Sequence, residues 1–162
     1  MARVRLQDVS DDPTWETGDD AGGEVLVTRC DHDGTWLVAL RGEHDLTTVP
    51  SLERRTRDIW PTCKIAVVDL SAVTFIDSTV VSWLLRVERA LEEGEGFTLS
   101  IVTGPSGSFA ARFFDQLRMA SVLACYATRR DALMQSPAVA RAVAVRTATR
   151  IHATCEPARL AA

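Results

Sequence analysis

In the stretch FIDSTVVSWLL, Phe75 to Leu85, an acid and two hydroxyls stand between one apolar run and the start of an apolar helical pattern. An aspartate in that place makes a good N-cap: its carboxylate accepts from first-turn amides, while Ile76 and Val81 take the two positions of a hydrophobic staple. That role occupies Asp77 and leaves Ser78 over. Val80, Leu84, Val87 and Leu91 share one stripe of the helix, with Val81 and Leu85 beside it, whereas Ser78, Ser82, Arg86 and Arg89 share another. The pattern therefore puts the Ser78 hydroxyl in solvent at the first turn of a helix, where a visiting protein can reach it. A phosphoryl group there would add about 1.5 to 2 negative charges. The helix N-terminus attracts that charge by about 0.3 to 1 kcal/mol, and Asp77, about 6 Å away, repels it by on the order of 1 to 3 kcal/mol. The fold would survive. A partner packed over Ser78 would have to desolvate a dianion, at a tenfold loss of affinity for about every 1.4 kcal/mol. Thr79 is the fallback acceptor.

Other chemistries are less well served. Ser78 with His44 and Asp45 or Asp69 would make a hydrolase, but the GxSxG elbow and any oxyanion-hole signal are missing. Cys30 and His32 offer half a zinc site, with His44 and Cys63 as partners, but no second close ligand pair completes it. TGPSG (103–107) has the small residues of a phosphate cradle without the lysine, and reads as a strand-to-helix turn. Trp36, Trp60 and Trp83 read as core or groove residues rather than stacking platforms for bases, and His44 as a turn residue.

The elements that would hold these residues follow from periodicity. EVLVTRC (24–30) and GTWLVALR (34–41), joined through Asp31–Gly34, predict an opening hairpin. Val49, Leu52, Ile59 and Trp60 recur at helical spacing, with Thr47 or Thr48 as cap and Pro50 in the first turn. CKIAVVDL (63–70) is continuously apolar over its middle, as a strand covered on both faces would be. A helix over 77–93 ends at Gly94 and Gly96, and a strand over 97–104 follows. Phe109, Phe113 and Leu117 mark a third helix, 122–127 a last strand and 128–135 a short final helix. Alternating strands and helices imply an α/β domain with a mostly parallel mixed sheet, an opening β-hairpin and about four helices.

Composition agrees with one such domain. The chain has 162 residues, 46% hydrophobic and 25% charged, which is ordinary for a globular protein. Its net charge of -4 provides no phosphate-neutralising surface, so nucleic acid is not expected as a direct partner. No run approaches the roughly 20 apolar residues of a spanning helix, and MARVRLQDVSDD turns acidic where a signal peptide would turn hydrophobic. A cytoplasmic protein with four reduced cysteines, Cys30, Cys63, Cys125 and Cys155, is expected, without membrane attachment. Residues 1–23 read as a flexible acidic arm and residues 137–162 as a flexible Ala/Arg-rich tail, leaving 24–136 as the folded domain.

The order of parts resembles the STAS domain, the fold shared by anti-sigma factor antagonists and the cytoplasmic ends of sulfate transporters. The resemblance runs over residues 24–136 and rests on GEHDLTT after the second strand, VVDLSAVTFIDST before the second helix, and LSIVTGPSGSFAARFF before the closing strand and helix. In the antagonists the serine after the acid of the second motif is phosphorylated by the partner anti-sigma factor, itself a serine kinase; here that serine is Ser78. The resemblance implies partner switching. Unphosphorylated protein captures the anti-sigma factor and frees a sigma factor for transcription, for instance in a stress response, and phosphorylated protein lets go until a phosphatase resets it. It also implies no catalysis and no cofactor of its own, since ATP would be bound by the partner kinase. The contact surface it implies holds Asp45, Asp77, Ser78 and Thr79, with the outward Ser82 one turn on. Where the family usually has Gly two residues after the serine this chain has Val80, a β-branched residue expected to crowd the kinase approach or to change which face is presented. A scaffold or ligand-sensing module, with no phosphorylation, is the alternative within the same fold.

Overall fold

The computed structural model describes residues 16–17, 23–30, 34–92 and 98–135. Strand β1 (Glu16–Thr17) pairs antiparallel with β2 (Gly23–Arg29), and β2 pairs antiparallel with β3 (Thr35–His44). Strands β4 (Ile65–Ile76), β5 (Thr98–Val102) and β6 (Ala124–Tyr126) then add in parallel, so spatial order follows chain order. Helices α1 (Val49–Thr56), α2 (Ser78–Glu92), α3 (Phe109–Gln116) and α4 (Arg129–Gln135) fill the connections and the end. The α/β architecture, its parallel majority and the opening hairpin are those the periodicity predicts. The two-residue β1 lies inside the segment read as a coreless arm; the rest of residues 1–22 and the tail beyond Gln135 lie outside the described residues.

Alternation along the strands splits the apolar side chains between two layers. Val38, Leu40, Ala66, Val68, Leu70, Leu99 and Ile101 face the main core with the inner stripes of α1, α2 and α3. Leu37, Val67 and Val102 face the other way, against Ala132 and Leu133 of α4. The run read as a two-sided strand is buried on both faces for that reason.

Three boundaries differ from expectation. Helix α1 stops at Thr56, whose hydroxyl bonds back to the Leu52 carbonyl at 2.8 Å, and Ile59 and Trp60 enter a 3₁₀ turn over 60–62 at Pro61. Its cap residue Thr48 makes no side-chain cap. Instead its hydroxyl closes the Asp45 turn, accepting from the Asp45 amide (2.9 Å) and donating to the Asp45 carbonyl (3.0 Å). The third difference bears on function. Strands β3 and β4 run on past 41 and 70, to His44 and Ile76, whereas β5 pairs β4 only over Ile65–Asp69. Beyond Asp69 the two strands continue as a paired ribbon, with β2 alongside β3 only as far as Gly42, and end side by side, with His44 opposite Ile76. The GEHD and FIDS motifs are thereby delivered to one place.

Candidate functional site

At the tip of that ribbon Asp77 joins two segments 31 residues apart. Its Oδ1 accepts from the amides of Thr79 (2.9 Å) and Val80 (3.3 Å), which is the N-cap predicted for α2. The same oxygen accepts from the Thr79 hydroxyl in a short bond. Its Oδ2 takes the amide of Leu46 at 3.3 Å, fastening the Asp45 turn to the head of the helix. Asp45 is used locally: its Oδ1 accepts from the Thr47 amide (2.8 Å) and hydroxyl (2.7 Å). Both carboxyls sit below their ordinary range. For Asp77, partial burial opposes ionisation, but the bonds from Thr79, Val80 and Leu46 together outweigh it; for Asp45, the Thr47 hydroxyl and amide are the main causes. The site carries two negative charges at neutral pH.

Between them Ser78 is exposed on the first turn of α2, as the stripe analysis predicts. Its carbonyl accepts from the Ser82 hydroxyl at 2.8 Å, so Ser82, also exposed, braces the turn. Thr79 is less available, because its hydroxyl already serves Asp77. Val80 is wholly buried, so its branched side chain packs inside rather than across the approach to Ser78. On the outer stripe Leu85 is 38% exposed, where the sequence pattern put it beside the core.

Two apolar residues at this tip escaped the sequence reading. Leu46 is 67% exposed at the crown of the Asp45 turn, and Phe75, 44% exposed, lies two residues before Asp77. Phe75 tilts against Phe109 at 6.1 Å, and Phe109 stacks on Phe113 at 5.9 Å, so an aromatic row leads from the tip onto α3. A leucine among Asp, Thr and Thr in a turn was the available sign. The tip thus presents charge, one free hydroxyl and exposed apolar area, which together suit contact with another protein.

The rival chemistries lack their geometry. His44, read as a turn residue, is completely buried at the end of β3, with Nε2 bonded to the Arg41 carbonyl at 3.1 Å. Asp69 faces α4, where it meets Arg129 and takes the Ser71 amide at 2.8 Å. Neither is presented to Ser78. In the TGPSG turn Gly104 and Gly107 adopt positive φ, and Ser108 caps α3, accepting from Ala111 at 3.1 Å while donating to the Thr103 carbonyl at 2.7 Å. That turn is occupied with its own backbone. Of the suggested zinc ligands His32 lies outside the described residues, and burial pushes the Cys63 thiol up to about 12. Trp83 is buried in the core, 6.5 Å from the partly buried Trp60, and Arg29 lies over Trp36 at 6.0 Å. Among the described residues no helix is long and apolar enough to cross a membrane.

Known proteins share this fold. The STAS domain family model matches residues 29–132. The anti-sigma-F factor antagonist RsfB of Mycobacterium tuberculosis is 29% identical over 114 residues, covering 70% of this chain and 90% of that protein. An anti-sigma factor antagonist from Mycobacterium paratuberculosis superimposes with a TM-score of 0.59 at 30% identity, over 70% of this chain and 92% of that one. The antagonist SpoIIAA in its unphosphorylated form gives 0.54 at 18% identity, over 68% and 94% of the two chains. The phosphorylated form of the Bacillus protein gives 0.51 at 16%, over 68% and 97%; both SpoIIAA matches bear on the fold alone.

Proposed function

The chain belongs to the STAS domain family, and from that premise we propose that it is an anti-sigma factor antagonist, a regulatory binding protein and not an enzyme, whose docking surface is switched off by phosphorylation of Ser78. The observation that carries the switch is the state of three adjacent residues. Asp77 is committed to capping and to Leu46, Thr79 is committed to Asp77, and Ser78 alone offers a hydroxyl to solvent. The similarity to RsfB and to the Mycobacterium paratuberculosis antagonist supports an anti-sigma factor as the partner.

Docking would bury Leu46 and the exposed side of Phe75, with Asp45, Asp77, Ser78, Thr79 and Ser82 around them. A basic partner surface suits the two carboxylates. Phosphorylation places a dianion within the contact, beside Asp77, and two charge terms oppose rebinding: repulsion from Asp77 and the cost of desolvating the phosphate. The helix N-terminus stabilises the new charge by about 0.3 to 1 kcal/mol, so the domain remains folded. The cycle then needs a serine kinase, supplied by the anti-sigma factor together with its ATP, and a phosphatase that restores the hydroxyl. It would regulate transcription by partner switching in the cytoplasm, with no contact to nucleic acid.

The test is phosphopeptide mapping after incubation with the cognate anti-sigma kinase and ATP. Phosphate is expected on Ser78, with Thr79 unmodified and no labelling of Ser78→Ala. Phosphate on Thr79, or undiminished labelling of Ser78→Ala, would remove the proposal's basis.

A further inference from the structure

One buried titratable group lies directly behind the docking tip. His44 ends β3, has no exposed surface, and is followed at once by Asp45. Its ring occupies space that exists only because residue 23 is glycine: a Cβ on Gly23 would stand 2.5 Å from His44 Cε1 and 2.7 Å from Nε2. Nε2 lies 3.1 Å from the Arg41 carbonyl, and a carbonyl only accepts, so the proton of the neutral ring belongs on Nε2. Nδ1 is then a bare acceptor, sealed from water and without a hydrogen bond of good geometry. Protonation would turn Nδ1 into a donor that makes no well-formed hydrogen bond while the ring keeps its seat, inside the apolar core, although the Glu24 backbone nearby favours the charged form.

We infer that His44 is a proton-sensitive positioning residue: its neutral ring, seated on Gly23 and bonded to Arg41, holds the Asp45–Thr48 turn against Asp77, and protonation releases that turn. The linkage is covalent and short. The Asp45 carbonyl accepts from the amides of Thr48 and Val49, both at 3.1 Å, and the next amide, that of Leu46, is the one bound to Asp77. A ring that must leave its seat moves the strand end that carries all of these.

The charged groups around the ring fix the direction. Asp45 attracts the protonated form, as do the backbone groups of Arg41 and Glu24, but burial is the largest influence and holds the pKa below the ordinary 6.5. The Glu24 carboxylate and Arg41 guanidinium pair with each other at 3.6 Å. Glu43, the neighbour on β3, is exposed; Asp77, at the end of β4, is bound to Leu46, Thr79 and Val80. The first turn of α1 carries no acid. A folded-state pKa below the unfolded one means the seated turn is intact above pH 6.5 and is lost as pH falls through the folded value. Weaker docking in acid is the consequence, and that clause alone rests on the proposed function.

The test uses the free protein, so its outcome is independent of any partner. Nitrogen-15 labelled full-length chain is titrated from pH 7.5 downward by NMR, following the His44 ring and the amides of Leu46 and Thr47. The expected result is one midpoint below 6.5 shared by the ring and the amides, with loss of hydrogen-exchange protection at Leu46. In His44→Gln and His44→Leu the amide transition disappears. Amides that stay still while the ring titrates, or that keep the same transition in both variants, would overturn the inference. Should the variants not fold, the comparison of ring and amides in the unaltered protein decides alone.

Discussion

Asp69 and Asp77 stand eight residues apart, one within β4 and one just past its end, and they do opposite work. Asp69 is sealed under α4, its side chain 3% exposed, with Arg129 as counter-ion and the Ser71 amide as second donor. Asp77 sits at the open end, sharing its two oxygens among Leu46, Thr79 and Val80. The first anchors a helix to the sheet, where charge is tolerable only because it is paired. The second organises a surface that must remain open. Position relative to the sheet decides: at Asp69 strand β5 flanks β4 and α4 covers it, whereas the ribbon beyond has neither β5 nor α4 over it.

Breaking each region should separate stability from docking. Arg129→Ala strands a buried carboxylate and should cost about 3 kcal/mol, the low end for such pairs because Arg129 is 34% exposed. Thermal unfolding should show a Tm lower by roughly 10 °C, with Ser78 phosphorylated as before. Gly23→Ala comes next. A methyl forced against the His44 ring and the Glu43 carbonyl, each at 2.5 Å, should cost about 1 to 3 kcal/mol in denaturant unfolding. Asp77→Ala removes a cap and the tie to Leu46, for about 1 kcal/mol of stability. Its pH signature is distinct: the folded pKa is lowered, so the wild-type advantage is present above the ordinary carboxylate value of 3.8 and fades as pH falls through the folded value. The gap between the urea midpoints of the two proteins, full at neutral pH, should therefore narrow as pH is taken below 3.8. Ser78→Ala touches nothing buried and should leave stability within about 0.5 kcal/mol.

Much of this was legible in the sequence, but unevenly. The cap at Asp77 and the outward Ser78 follow from helical periodicity, which a 15-residue helix repeats often enough to read. The ribbon does not announce itself: from Ser71 to Ile76 two exposed residues alternate with one buried, matching neither the two-sided run nor the simple alternation of a strand. Without the ribbon, nothing in the spacing brings Asp45 to Asp77; the resemblance to STAS domains did, and the register shows how. His44 was misplaced because a polar residue between Gly-Glu and Asp looks like a turn, and its burial depends on a glycine in another strand. Ile59 and Trp60 kept helical spacing while the chain had already left the helix, a change imposed at Pro61.

The most direct test is calorimetric titration of the cognate anti-sigma factor with Ser78→Ala and Ser78→Asp, each paired with its melting curve. If charge at the helix head blocks docking without disturbing the fold, the alanine variant binds as the unphosphorylated protein does. The aspartate variant binds at least about a hundredfold more weakly, a difference of about 2.7 kcal/mol, and both melt within a few degrees of the parent. Equal affinities, or an aspartate variant that no longer folds, would contradict it.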